Sequence, residues 1–186
     1  MAADLIPGHN DLIGVSSAIL VPSAWDISFF LFEHENDGWK LRLVQQKYTS
    51  DEEHGLQENF ACTFVDGPDA GGFFVVTAFN RPWPSSCMSG LEMLVLQPDR
   101  DPFQPKIIFH VDRRYSRCCG YRLSSAKNIV KLNYRTWNLV GKRGAGSLML
   151  NRLDEYSITS GKVQRYKWKI GKNKIREIVP CHRLFW

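Results

Sequence analysis

Alternation of apolar and polar side chains is the pattern that repeats most often along this chain. Residues 39–43 read WKLRL, in which every second side chain is apolar. A strand points successive side chains to opposite faces, so this period of two predicts a strand with one buried face. A phenylalanine-rich run at 25–34 precedes it, and the intervening ENDG at 35–38 is a sequence typical of tight hairpin turns. We therefore predict a β-hairpin from residue 25 to residue 43.

Two shorter segments are apolar without alternation. Residues 73–79 read FFVVTAF, and residues 91–96 read LEMLVL between Gly90 and Pro98. The length, the β-branched residues and the flanking glycines of residues 73–79 are typical of a buried strand. The pattern of residues 91–96 alone fits either a strand or a helix, and the bounding Gly90 and Pro98 favour a strand.

Further short strands are predicted at regular intervals, separated by turn sequences. They cover residues 11–21, 59–65, 107–111, 120–123, 129–134 and 137–140. Residues 147–153 fit either one modest helix or another strand. The pattern predicts an all-β protein, an antiparallel barrel or sandwich of about ten to twelve short strands with little helix. We expect one β-rich domain over residues 1–186, with the loop at 99–105 as the only plausible seam.

Composition and cysteine usage indicate a globular protein of a reducing compartment. Apolar residues make up 44% of the 186, and aromatic residues 12%. No apolar run approaches the ~20 residues that a membrane-spanning helix needs, and the first residues lack the basic region of a signal peptide. The five cysteines are odd in number and show no CxxC spacing. We therefore expect a soluble cytoplasmic protein without a transmembrane segment or a disulfide.

The net positive charge of the chain comes from one stretch near its end. The whole chain carries +5, from 24 basic and 19 acidic residues. Residues 162–176 contain seven cations and no acid, so the rest of the chain sums to −2 (5 − 7). A local concentration of cations attracts phosphate, nucleic acid or an anionic membrane surface.

Within this stretch, alternation predicts a hairpin with one cationic face. Residues 165–170 read RYKWKI, residues 171–173 (GKN) suit a tight turn, and residues 174–179 return as a second strand. The alternative interpretation is a solvated sheet edge whose lysines prevent pairing with other chains. Trp83, in the loop sequence RPWP, is the best candidate for an exposed functional ring. The predicted ligand-binding residues are Arg165, Lys167, Lys169, Lys172, Lys174 and Trp83.

Enzymatic and metal-binding motifs are weakly supported. Cys181 and His182 are adjacent, so they face opposite ways in an extended strand and do not form a catalytic dyad. Together with Cys118 and Cys119 they have poor spacing for a zinc site. The glycine-rich segment 141–147 lacks the order of a P-loop. We therefore predict no metal site and no cofactor, and catalytic residues are not assigned.

The end of the chain resembles the closing strands of tubby-like and scramblase-like barrels. The resemblance consists of Tyr166-x-Trp168-Lys169, a turn, a second strand, and then Arg183-Leu184. The central hydrophobic helix of those barrels has no counterpart elsewhere in this sequence, so no function is carried over.

The sequence favours a binding or interaction module whose basic C-terminal hairpin contacts a polyanion, either nucleic acid or an anionic lipid headgroup, or a protein partner. One alternative is a β-barrel enzyme or carrier that holds an apolar small molecule in an aromatic-lined cavity. Another is a structural or assembly protein. A closed core with a flat cationic face favours the binding module, a polar cavity favours the enzyme, and a large exposed apolar surface favours assembly.

Overall fold

A computed structural model describes residues 2–6, 9–21, 24–50, 60–67, 72–81, 88–116, 120–140, 146–159 and 162–170. Over these residues the chain forms twelve strands and no helix, which confirms the predicted all-β class. The strands are β1 (Ala2–Ile6), β2 (His9–Val21), β3 (Ala24–Glu35), β4 (Gly38–Ser50), β5 (Phe60–Asp66), β6 (Phe73–Arg81), β7 (Met88–Gln97), β8 (Lys106–Ser116), β9 (Tyr121–Ala126), β10 (Ile129–Val140), β11 (Gly146–Thr159) and β12 (Lys162–Ile170).

Three antiparallel sheets share one simple topology. The first sheet has the order β1-β2-β3-β4, the middle sheet β5-β6-β7-β8 and the third sheet β12-β11-β10-β9. In each sheet, strands that follow one another along the chain pair side by side. Among the described residues each sheet keeps two edge strands, so the sheets are not closed into a barrel and the fold is of the sandwich type.

The middle sheet is covered on both faces, which accounts for the unbroken apolar runs. On β6, Phe74 belongs to a core cluster shared with the third sheet, and its neighbour Phe73 to a cluster shared with the first. On β7, Met93 faces the third sheet and Leu94 the first. Consecutive side chains of a strand point to opposite faces. A strand that is buried on both faces therefore shows no alternation of apolar and polar residues.

Aromatic stacking and one backbone hydrogen bond join the first sheet to the middle one. The rings of Phe29 and Phe60 stack with their centroids 5.3 Å apart. The backbone N–H of Val44, on the edge strand β4, donates to the carbonyl oxygen of Pro102 at 2.7 Å. The loop that the sequence indicated as a seam thus joins two hydrogen-bonded neighbours, β7 and β8, and contacts a second sheet.

The segment that fitted either helix or strand is part of the longest strand. Residues 147–153 lie in β11, which pairs with β10 from Ile129↔Ser157 to Val140↔Gly146. The two short strands predicted at 129–134 and 137–140 are one continuous strand, β10. Long-range strand pairing therefore determines the secondary structure of this region, because its local sequence is compatible with both a helix and a strand.

The turn between β9 and β10 contains a strained residue. Lys127 has a φ of 53°, the only positive φ of a non-glycine residue among those the structure describes. In this region a Cβ atom crowds the backbone, at a cost of about 1–2 kcal/mol. Lys127→Gly removes this strain, but glycine loses more conformational entropy on folding. We therefore expect the free energy of unfolding to rise by at most about 1 kcal/mol. Urea unfolding measures the change, and an unchanged or lower midpoint would refute the strain.

Candidate functional site

The outward face of the third sheet is polar and rich in cations. On β10, Leu132 and Tyr134 are buried, whereas Asn133 between them is exposed. The alternation of a strand places four cations of described exposure on this outward face. They are Arg122 and Lys162, both exposed, and Lys131 and Arg135, both half-buried.

The described register places one carboxylate among these cations. Lys131 Nζ lies 3.8 Å from Glu155 Oε1, and this glutamate is the one acidic residue that the described register places on the outward face. Arg135 Nε donates to Asn151 Oδ1 at 2.9 Å, a neutral partner. Positive charge thus exceeds negative charge on a surface four strands wide.

The strand β12 continues this face, with one irregularity. Lys167 and Lys169 pair with Glu155 and Leu153, which are outward positions of β11. The register then shifts, and Arg165 pairs with Tyr156, a core position. Strict alternation predicted Arg165, Lys167 and Lys169 on one face. Because of the β-bulge, Arg165 and Lys167 pair with Tyr156 and Glu155, which are neighbours on β11 and therefore lie on opposite faces of the sheet. The register thus does not give Arg165 and Lys167 the same face.

The remaining predicted ligand-binding residues lie outside the part of the chain that the structure describes. These are Lys172, Lys174 and Trp83. The predicted return strand at 174–179 lies there too, so both assignments stay predictions.

A buried polar network joins the middle and third sheets. The carboxylate of Asp154 is fully buried on β11, and Arg113 Nε of β8 donates to its Oδ2 at 2.7 Å. The hydroxyls of Tyr134 and Tyr156 donate to the same oxygen at 3.3 and 3.2 Å. Arg113 Nη2 also donates to Tyr156 Oη at 2.9 Å. Each partner compensates for the water that the carboxylate lost on burial.

Burial and the neighbouring groups shift the pKa values of Tyr134 and Arg113 in this network. Burial, together with the negative charge of Asp154, raises the pKa of Tyr134 to about 12, so its hydroxyl stays protonated and donates. Burial alone lowers the pKa of Arg113, but the hydrogen bond to Asp154 and the electrostatic interactions with Tyr156, Asp154 and Tyr134 outweigh it and raise the pKa. The network therefore holds its charges at neutral pH and acts as a structural joint between the sheets.

A second cluster of titratable groups lies on β7 and β8. His110 Nε2 is 3.2 Å from Glu92 Oε1 and 3.6 Å from Asp112 Oδ1. One ligand atom from each of the three residues falls within 4.8 Å of the others. The sequence analysis did not assign His110 to any site. The signal it missed is cross-strand pairing, which places Glu92 opposite Asp112.

Cys62 is the one cysteine within the described residues, and it is a free thiol. Burial raises the pKa of this thiol far above its usual value, so the thiol stays protonated and is a poor nucleophile. The other four cysteines lie outside the described part of the chain, so the prediction of five free thiols remains open there.

Comparisons with known protein families, with curated protein sequences and with solved structures find no match to this chain. Among the described residues there is also no helix long and apolar enough to cross a membrane. Function is therefore inferred from the side chains and the strand register of this chain.

Proposed function

We propose that the chain is a nucleic-acid-binding module and that the outward face of the third sheet is its contact surface. We call this surface the cationic face and define it by Arg122, Lys131, Arg135 and Lys162. Lys167 and Lys169 extend it along β12 through their register positions.

The observation that carries this proposal is the imbalance of charge on one exposed face. Six cationic positions share the face with a single carboxylate, that of Glu155, among the residues described. Neighbouring strands are about 4.8 Å apart, so the cations spread over a width of roughly 14 Å. A spread of this size suits a polymer of phosphates better than a single phosphate group, which converging donors bind.

Nucleic acid is favoured over a membrane surface by the side chains between the cations. Asn133, Ser124 and Gln164 are exposed there, and amide and hydroxyl groups bond to phosphate and sugar oxygens. A face that binds membranes commonly adds large apolar side chains that insert between lipids. Among the cations of this face the apolar residues are Ile129 and Leu153, both half-buried, and beyond Arg135 the register adds Trp137, Leu139 and the buried Met149.

This composition also predicts how the face binds. The described register places one aromatic residue on this face, Trp137, two residues beyond Arg135 on β10 and opposite Met149, so stacking of bases contributes little beside the phosphate contacts. Binding through phosphates carries no sequence information. We expect weak dependence on base sequence and strong dependence on salt.

The first test neutralises three cations that have few structural contacts. In the triple variant Arg122→Gln/Lys131→Gln/Lys162→Gln, affinity for a fluorescein-labelled 30-nucleotide single strand should fall up to about 100-fold at 0.1 M salt. The slope of log K against log salt should become shallower by about 2, because each lost phosphate contact removes roughly 0.7 from it. Fluorescence anisotropy at stepped sodium chloride concentrations measures both quantities.

A matched control separates this face from the overall charge. The variant Lys40→Gln/Arg100→Gln/Lys106→Gln removes the same net charge from exposed positions on β4, in the loop between β7 and β8, and on β8. It should retain most of the affinity and slope of the parent. Equal losses in both variants would show a diffuse charge effect and overturn the assignment. Tight binding to phosphatidylserine vesicles with none to nucleic acid would reassign the face to a membrane.

A further inference from the structure

We propose that Glu92, His110 and Asp112 form a binding site for a divalent transition-metal ion of the zinc class. The sequence analysis predicted no metal site, because the spacing of the cysteines and of His182 did not fit one. The proposal is independent of the cationic face, because Glu92 lies on the same face of β7 as Leu94, which packs toward the first sheet. It therefore goes beyond nucleic-acid binding.

The pairing of two strands brings the three ligands together. Glu92 on β7 is paired with Asp112 on β8, and Leu94 is paired with His110. Paired residues of antiparallel strands lie on the same face, and diagonal neighbours two residues away are within reach of long side chains. The site is thus built on regular strands, which hold ligands more precisely than loops do.

Two of the three distances between the ligand atoms match those of a metal site, and the third, between the carboxylates of Glu92 and Asp112, is at most 4.8 Å. Zinc lies about 2.0–2.2 Å from histidine nitrogen and carboxylate oxygen, so two ligands in a tetrahedral site are roughly 3.3 Å apart. The imidazole Nε2 of His110 lies 3.2 Å from Glu92 Oε1 and 3.6 Å from Asp112 Oδ1. An ion can bind between these atoms with small side-chain adjustments.

Burial differs among the ligands in a way that suits an accessible site. The side chain of Glu92 is 8% exposed, whereas those of His110 and Asp112 are 46% and 48% exposed. One ligand is therefore anchored in the sheet, and the other two face solvent. Three protein ligands leave a fourth tetrahedral position open to water or to a bound molecule.

The chemistry of the ligands narrows the class of ion. Two carboxylates around one neutral imidazole give a net charge of −2, which attracts a cation. Calcium and magnesium prefer oxygen ligands throughout, whereas an imidazole nitrogen favours zinc and the later first-row ions. The competing interpretation is a protonated His110 that bridges the two carboxylates without any metal.

Titration of the chelator-treated full chain with zinc tests the site. Isothermal titration should show one equivalent of bound zinc, with at least tenfold weaker binding of magnesium and calcium. The variants His110→Ala and Asp112→Asn should each weaken zinc binding tenfold or more. His34→Ala is the matched control, since His34 is an exposed histidine on β3, and it should leave the affinity unchanged. His110 and Asp112 are both about half exposed, so neither substitution removes a core side chain.

Cobalt distinguishes this site from binding by cysteine. Cobalt bound to one imidazole and two carboxylates gives d–d absorption without a thiolate charge-transfer band, and His110→Ala should abolish that absorption. A thiolate band, zinc affinity unaffected by His110→Ala and Asp112→Asn, or the absence of zinc binding would each overturn the proposal. The titration contains no nucleic acid, so its outcome does not depend on the cationic face.

Discussion

Replacing Asp154 with alanine should lower the free energy of unfolding by about 3–5 kcal/mol. The carboxylate is fully buried and accepts hydrogen bonds from Arg113, Tyr134 and Tyr156. Its removal leaves the guanidinium of Arg113, three-quarters buried, without its charged partner, and leaves the Tyr134 hydroxyl without an acceptor. An uncompensated buried charge is the main cost, because its lost hydration is no longer offset.

Urea unfolding of Asp154→Ala measures this cost, with Asp66→Ala as the matched control. Asp66 is exposed at the end of β5, so its loss should change stability by less than about 0.5 kcal/mol. In an Arg113→Ala background, the cost of Asp154→Ala should shrink, because the charge it compensates is gone. A single-variant cost below about 1 kcal/mol, or equal costs in both backgrounds, would contradict the pairing.

Replacing either Phe73 or Phe74 with alanine should cost about 3–5 kcal/mol of stability. The two residues are neighbours on β6 and are 8% and 1% exposed, each within a different core cluster. In a sheet covered on one face only, one of two successive side chains faces solvent and its loss costs little. Comparable losses for both therefore test whether the middle sheet is covered on both faces.

Phe103→Ala serves as the control for this pair. Phe103 is 65% exposed in the loop between β7 and β8, so its truncation should change stability by less than about 0.5 kcal/mol. Thermal and urea unfolding of the three variants gives the comparison. If either Phe73→Ala or Phe74→Ala behaves like Phe103→Ala, that face of the middle sheet is open to solvent.

The sequence was sufficient to predict structural features that depend on a few neighbouring residues. The turn at 35–38 is a tight hairpin in which Glu35 pairs with Gly38, as the sequence predicted. Glycine suits this turn because Gly38 has a φ of 124°. The apolar run at 73–79 is a strand buried on both faces for the reason its composition indicated.

The sequence could not predict the contacts that depend on strand register and sheet packing. Glu92 and His110 are 18 positions apart in the sequence and Arg113 and Asp154 are 41 apart, so their contacts follow from strand pairing and sheet packing. The bulge opposite Glu155 and Tyr156 shifts Arg165 by one position relative to Lys167, and a pattern of charges contains no signal for such a shift. The sequence predicted the cations at the end of the chain. It did not predict that Arg122, Lys131 and Arg135 lie on the same sheet.

Lysine footprinting by mass spectrometry tests the proposed contact surface most directly, because it uses the unmodified sequence. The protein is acetylated briefly with and without a saturating 30-nucleotide single strand, and acetylation is quantified at each lysine. Nucleic-acid binding at the cationic face predicts protection of Lys131, Lys162, Lys167 and Lys169, with Lys40 and Lys106 unchanged. Protection of Lys40 or Lys106 equal to that of Lys131 and Lys162, or no protection at the cationic face, would contradict the account.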